Sequence, residues 1–192
     1  MLLGAGYEAI GVDPAAPEGE EFRRVEFERL EPVGPLDAVV ASASLHHVAD
    51  PASVLDRVAR LLEPTGRVIV VEWDWQAFDR STAEWCLRRL GPDPGGGEHE
   101  HQHDDWLRRH RDEWQASGAP WHEYLAAWAT RERIHPAGTL LRLLDERFRR
   151  ERLETGPYFF ADLPGTTQAE ERAAIDAGEI RATRIDVVGR PR

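Results

Sequence analysis

The feature that most constrains the fold is an apolar run, a capped helix and a second apolar run between residues 36 and 74. Residues 36–41 and 68–72 are short and valine-rich, which predicts strands of a parallel sheet that are buried on both faces. Between them, apolar residues recur at helical spacing after Asp50, a good N-cap, and Pro51, which suits the first helical position. The pattern predicts a right-handed strand–helix–strand unit of an α/β fold.

This unit also indicates where a ligand would bind. Pro64 and Gly66 end the predicted helix and turn the chain into the second strand. In open α/β sheets, ligands bind beyond the carboxyl ends of the strands. Residues 42–47 and 73–75 therefore form the candidate site.

The rest of the chain predicts further strands and a helical region. The expected strands are 7–13, 22–27, 152–160 and 183–188, and the expected helices are 76–90, 104–115, 122–134, 140–148 and 168–177. We expect an α/β core in residues 1–75, a helical insert or lid in 76–150, and a strand–helix–strand unit in 151–192 that completes the sheet. The insert is rich in tryptophan, which suits either a cap over a pocket or a plain cover for the sheet.

A family resemblance lies in the runs DAVVASASLHHVADP and VLDRVARLLEPTGRVIVVEW. They resemble the fourth strand, fourth helix and fifth strand of class I S-adenosylmethionine (SAM)-dependent methyltransferases, in the small-molecule group with an LHH loop and an R-x-L-x-P-G-G turn. The run AIGVDP resembles the second strand of that fold. The resemblance implies a Rossmann-like sheet with a helical insert after the fifth strand, SAM as cofactor and a small molecule as methyl acceptor.

One part of the family pattern has no counterpart in this sequence. The family's first strand lies between the second and fourth strands and ends in a D-x-G-x-G-x-G loop against SAM. This chain starts with MLLGAG, which resembles the end of the helix after that loop. We therefore expect a chain truncated at its N-terminus relative to the family, with impaired SAM binding and two exposed interior sheet edges.

The resemblance implies a set of cofactor-binding residues. Asp13, after the second strand, would accept hydrogen bonds from the ribose diol; the alternative is a turn aspartate before Pro14, which is a common arrangement. Glu26 and Phe27, at the end of the third strand, would hold the adenine or form a plain edge-strand pair. The backbone after the fourth strand would contact the methionine end of SAM; these residues are Ser42, Ala43, Ser44 and Leu45.

His46 and His47 are the candidate catalytic residues. A histidine near its ordinary pKa can take the proton from a hydroxyl or amine nucleophile during methyl transfer. The alternative is structural, with one imidazole packed inward and hydrogen-bonded to the loop. The sequence leaves both roles open.

The acid–histidine run at residues 98–104 invites a metal site, since His99 and His103 would share a helix face and Asp104 could add an oxygen. It directly follows three glycines, and this low-complexity character predicts a loop with no native metal site.

Charge and composition exclude several function classes. The net charge of −11 argues against a nucleic-acid substrate. Cys86 is the single cysteine, so no disulfide framework is expected. No signal peptide or membrane span is recognisable, which predicts a cytoplasmic protein; the sequence does not indicate an oligomeric state.

The sequence predicts SAM-dependent methyl transfer to an unidentified small molecule, by in-line attack on the sulfonium methyl. The alternative is a non-catalytic remnant of that fold that acts as a binding or interaction module. An NAD-dependent oxidoreductase would explain Asp13, but neither the LHH loop nor the EPTG turn.

Overall fold

The computed structural model describes residues 6–31, 33–91 and 102–192. The strands in these segments are β1 (Gly11–Val12), β2 (Phe22–Arg23), β3 (Leu36–Ser42), β4 (Leu62–Trp73), β5 (Phe148–Gly156) and β6 (Arg184–Pro191). The helices are α1 (Pro51–Leu61), α2 (Arg80–Arg89), α3 (Gln102–Ser117), α4 (Trp121–Arg131), α5 (Ala137–Arg147) and α6 (Gln168–Asp176). The predicted α/β fold class is confirmed.

The main sheet has four strands in the order β3-β4-β6-β5. β3 and β4 are parallel, while β6 runs antiparallel to both β4 and β5. β1 and β2 pair with each other in parallel and form a separate two-stranded sheet. No strand in the described segments pairs with the free edge of β3, so β1 and β3 do not close directly on each other.

The predicted strand–helix–strand unit is present as β3, α1 and β4. The Asp50 side chain caps α1 by accepting a hydrogen bond from the Ser53 N–H at 3.0 Å, and Pro51 occupies the first turn. The helix buries Val54, Leu55 and Val58 against the sheet. Because the helix buries one face against the sheet, its apolar residues recur at helical spacing in the sequence.

The turn into β4 depends on Gly66. A Cβ at this position would lie 2.9 Å from the Glu63 carbonyl oxygen and 2.9 Å from the Leu36 carbonyl oxygen. The pairing of β3 with β4 shifts register here, from Leu36 opposite Leu62 to Ala38 opposite Arg67. The intervening residues of β4 thus loop out, and only glycine fits the close backbone approach.

The expected burial of residues 36–41 on both faces is wrong. Val40 is 51% exposed, and Ala38 is exposed as well. The reason is topological: β3 lies at the edge of the four-stranded sheet. By contrast, β4 lies inside the sheet, and Val68 and Val70 are buried as expected.

Several predicted boundaries differ from the observed elements. β1 and β2 cover only two residues each of the predicted 7–13 and 22–27, and the chain after β2 turns into a 3-10 helix at Phe27–Arg29. The expected strand 152–160 begins earlier, at Phe148, because α5 ends at Arg147.

Two apolar clusters form the core. One packs α1 and α5 against the sheet, with Leu55, Val70, Leu140, Phe148 and Val187 among its members. The other packs α2, α3 and α4 around Trp73 and Phe159. The helices of the predicted insert at 76–150 therefore divide between the two clusters. α5 packs against the sheet together with α1, whereas α2, α3 and α4 pack with one another. Among the helices of the described segments, none combines the length and apolar character that crossing a bilayer requires.

Candidate active site at the carboxyl ends of β3 and β4

The loop after β3 begins with a sharp change of backbone direction. The Ala43 N–H donates to the Val71 carbonyl at 2.8 Å, which continues the pairing of β3 with β4. Ala43 itself has φ = 47°, a left-handed conformation that is unusual for a residue with a side chain. Residues held this way persist only where the surroundings enforce them, and they cluster at functional sites.

Glu72, near the end of β4, holds this loop. Its side chain is fully buried, and its Oε1 accepts hydrogen bonds from the backbone N–H groups of Ser44 at 2.9 Å and Leu45 at 2.6 Å. Its Oε2 contacts Nδ1 of His46. A buried carboxylate is tolerated when it is surrounded by donors in this way. Sequence reasoning missed this role; the signal was an acidic residue at the end of a buried apolar strand.

The two candidate histidines have different environments. His46 is 4% exposed, with its ring against Glu72, whereas the adjacent His47 is exposed. The ring centroids lie 4.0 Å apart. Partial burial, and next to it the His46 imidazole, lower the pKa of His47 below its ordinary value. His47 is therefore largely neutral at pH 7 and able to accept a proton.

His135, between α4 and α5, ties the loop down from a second side. Its backbone N–H donates to the His46 carbonyl at 3.0 Å, and its Nε2 contacts the Val48 carbonyl oxygen at 2.9 Å. Sequence reasoning did not select His135, and nothing in its neighbourhood in the chain marks it. The contact joins the strand-end loop to the helical region.

Aromatic side chains cover the end of β4. The ring of Trp73 lies 5.4 Å from that of Trp106 in α3, 6.1 Å from Trp128 in α4 and 6.0 Å from Tyr158, centroid to centroid. The insert thus lies over the carboxyl end of this strand. These contacts are compatible both with a cap over a substrate pocket and with a fixed cover for the sheet, because both would bury the same aromatic side chains.

An open cleft of about 440 Å³ lies beside this cover. Trp75, two residues after the end of β4, lines one part, and Arg133 and His135 line another. His135 lines the cleft and also bonds the His46 loop, which follows the end of β3. The cleft therefore lies next to the carboxyl ends of the strands. The nearby Asp74 is half-buried, and desolvation raises the pKa of its carboxyl.

Asp13 follows β1, as expected. Its Oδ1 accepts a hydrogen bond from the Ala15 N–H at 2.7 Å, and its own N–H donates to the Arg23 carbonyl at 3.2 Å. The side chain is exposed, and its Oδ2 makes no hydrogen bond within the described residues. Asp13 therefore shapes a turn with one oxygen and has the other available.

Glu26 and Phe27 do not lie at the end of a strand, so that expectation is wrong. β2 ends at Arg23, and the following chain forms a 3-10 turn. The exposed Glu26 carboxylate pairs with Arg29 at 3.0 Å. Phe27 packs against the core next to α1, with the Arg57 guanidinium 5.7 Å from its ring centroid.

The acid–histidine run is not tested by the structure. Residues 98–101 lie outside the described segments, and the side chains of the first residues of α3 are not described either. The absence of a metal site thus stays a prediction.

Comparison with known proteins identifies the family that this sequence matches. The family model for the methyltransferase domain matches residues 2–147. The chain is 29% identical over 102 residues to the ubiquinone biosynthesis O-methyltransferase of Rhodopseudomonas palustris strain TIE-1, covering 44% of this chain and 40% of that protein. The protein of that name from Xylella fastidiosa strain M23 is 33% identical over 104 residues, covering 51% and 39%. The chain thus spans less than half the length of these curated relatives.

Solved structures show the same fold at low sequence identity. The PH0226 protein from Pyrococcus horikoshii OT3 matches with a TM-score of 0.52 at 14% identity, covering 100% of this chain and 74% of that one. The 1,6-didemethyltoxoflavin-N1-methyltransferase of Burkholderia thailandensis, solved with 1,6-didemethyltoxoflavin and S-adenosylhomocysteine, matches with a TM-score of 0.50 at 13% identity, covering 98% and 63%. The family model covers well over half of the sequence, and the fold agrees with it. The chain belongs to the methyltransferase-domain family, and its α/β fold is the one that the sequence predicted.

Proposed function

We propose that this chain carries out SAM-dependent methyl transfer to a small molecule, with the reaction at the carboxyl ends of β3 and β4. The observation that carries the proposal is the loop from Ala43 to His46, fixed by the buried Glu72 carboxylate. Methyl transfer depends chiefly on alignment of the reacting groups and on exclusion of water. A rigid loop beneath an aromatic cover suits both needs.

In this proposal, part of the set of residues that the resemblance implies is available to contact the cofactor. Asp13 has a free carboxylate oxygen after β1, suited to a ribose hydroxyl, and the backbone of Ser42, Ala43, Ser44 and Leu45 lies at the end of β3 for the methionine end. Glu26 and Phe27 remain the proposed adenine contacts, although the ion pair of Glu26 with Arg29 must open for its carboxylate to take part.

The two histidines take different roles in this proposal. When bound, SAM supplies an electrophilic methyl group on its sulfonium. His47, exposed and with a lowered pKa, is suited to accept the proton from the nucleophile. His46, buried against Glu72, acts as a positioning residue for the loop.

A small-molecule acceptor is supported by the relatives. The curated relatives are named for ubiquinone biosynthesis, and the Burkholderia enzyme for 1,6-didemethyltoxoflavin. Because this chain spans only part of those relatives, their substrates are not carried over to it.

Calorimetric titration with SAM tests the proposal. We expect Asp13→Ala to weaken binding by roughly 2–4 kcal/mol, since charge-assisted hydrogen bonds to the ribose are lost. Asp13→Asn is the matched control, because it retains the acceptor for the Ala15 N–H and so separates ribose binding from the turn. An unchanged dissociation constant in Asp13→Ala would refute the ribose assignment. No binding by the unaltered chain would favour the non-catalytic alternative.

A further inference from the structure

The cleft beside Trp75 has a charge pattern opposite to that of the chain as a whole. The sequence has 35 acidic residues against 24 basic ones. Among the residues that the structure describes, the lining of the cleft includes Arg133 and His135 and no carboxylate. A cation in a cleft whose lining carries no carboxylate favours an anionic ligand.

Arg133 is available for such a ligand. Its side chain is exposed, and it has no ion pair within the described residues. Glu132, the carboxylate next to it in the chain, is paired with Arg131 at 3.0 Å. The Arg133 guanidinium therefore keeps its hydrogen-bond donors for a partner from outside the chain.

The backbone presents Arg133 in a constrained way. Its φ is 57°, in the left-handed region, and its N–H donates to the Thr130 carbonyl at 3.3 Å. Two residues further on, His135 bonds the His46 loop. The next residue, Ile134, donates its N–H to the Ala129 carbonyl at 2.8 Å, so Arg133 is the left-handed residue that ends α4. Arg133 thus projects from a helix-ending turn that is tied to the proposed reaction site.

The rest of the lining suits a flat, largely apolar molecule. Trp75 and Ile134 contribute apolar surface, and Gln76 and Thr130 add polar groups. A volume of about 440 Å³ lies within the usual range of small-molecule sites. A cleft that combines an aromatic side chain with a guanidinium suits a planar carboxylate.

We propose that this cleft binds the methyl acceptor and that the acceptor is a planar molecule carrying a carboxylate. Arg133 binds the carboxylate through two parallel hydrogen bonds, and Trp75 packs against the ring. The inference rests on the proposed function, because it makes the cleft the acceptor side of the methyl-transfer site. The loop carrying His47 then lies next to the bound acceptor.

The test compares two planar probes of similar size, one with a carboxylate and one with a neutral carboxamide in its place. 4-Hydroxybenzoate and the neutral 4-hydroxybenzamide are titrated into the ¹⁵N-labelled chain, and the indole N–H resonance of Trp75 is followed after its assignment with Trp75→Phe. We expect 4-hydroxybenzoate to shift this resonance and to bind about tenfold more tightly than the amide.

Matched variants locate the preference. Arg133→Gln should abolish the tenfold preference, because it removes the guanidinium and leaves the left-handed backbone position with a residue of similar length. Arg142→Gln removes the same charge from the exposed side of α5 and should leave the preference intact. Chemical denaturation of both variants checks that folding is unchanged.

The outcomes separate this inference from the proposed function. Equal binding of both probes, binding of neither, or a preference that survives in Arg133→Gln would overturn the carboxylate site. A parallel titration with S-adenosylhomocysteine tests the methyltransferase proposal independently of these probes. If S-adenosylhomocysteine binds but 4-hydroxybenzoate is not preferred over the amide, only the proposed acceptor class is rejected. If 4-hydroxybenzoate binds but S-adenosylhomocysteine does not, the methyltransferase proposal is rejected.

Discussion

The Nδ1 atom of His46 lies in hydrogen-bonding contact with the Oε2 atom of Glu72, and both side chains are buried. The contact links the loop after β3 to the neighbouring strand β4. Together with the two backbone hydrogen bonds to Oε1, it makes Glu72 the residue on which the loop depends. These contacts together fix the shape of the loop.

The first prediction concerns Glu72. Glu72→Ala leaves several buried donors without an acceptor, and we expect it to lower the free energy of unfolding by roughly 2–5 kcal/mol. Glu72→Gln should lose less, because the amide oxygen still accepts from Ser44 and Leu45 and the amide nitrogen can donate to a neutral His46. Urea unfolding measures the stability, and amide hydrogen exchange at Ser44 and Leu45 reports the loop.

Glu179→Ala, an exposed position, serves as the control for removing a carboxylate. If Glu72→Ala is no more destabilising than this control, Glu72 does not anchor the loop.

The second prediction concerns the pH dependence caused by His110. Burial lowers its pKa to about 4, and its Nδ1 lies 2.7 Å from the Tyr124 hydroxyl oxygen. The unfolded chain takes up a proton near pH 6.5, whereas the folded chain does so only near 4, so stability falls as pH decreases between these values. The difference amounts to roughly 3 kcal/mol at most.

Unfolding experiments from pH 7 to 4 should show a shallower loss of stability in His110→Gln than in the unaltered chain. Subtraction of the two curves removes the contribution of the carboxylates that titrate in this range. The exposed His122→Gln is the control, and its curve should follow the unaltered chain. Parallel curves for His110→Gln and the unaltered chain would contradict the assignment.

The third prediction compares two glycine substitutions. Gly66→Ala places a methyl group 2.9 Å from two backbone oxygens, and we expect it to destabilise the chain by roughly 1–3 kcal/mol. Gly138→Ala lies in α5, where a Cβ meets nothing within 4 Å, and it should stabilise the chain by roughly 0.5–1 kcal/mol. Thermal unfolding of both variants gives the sign of each change; a midpoint temperature of Gly66→Ala that is unchanged or raised would refute the steric role of Gly66.

The fourth prediction concerns movement of the helical cover. If the segment 104–134 acts as a lid, hydrogen exchange in α3 and α4 should slow when SAM and an acceptor are bound. The contacts of Trp106 and Trp128 with Trp73 provide the surface on which it would close. Equal protection with and without ligands would show that these helices are a fixed cover.

Much of the β3–α1–β4 unit was predictable because its signals are local. The N-cap at Asp50, the proline after it and the apolar spacing of α1 act within a few residues, and the structure retains all of them. The short strands β1 and β2 were overpredicted. Their apolar residues suit an extended chain, but backbone pairing extends over only two residues of each strand.

The sequence by itself determined the family, the alternation of strands and helices, and the position of the candidate site at the strand ends. Tertiary structure alone decided how that site is built. It placed β3 at a sheet edge, which exposes Val40, and it turned His46 inward and His47 outward although they are adjacent and identical. It also brought Glu72 and His135 onto the same loop from distant parts of the chain. Burial and hydrogen-bond partners depend on which segments pack together, and that information does not reside in any local stretch of residues.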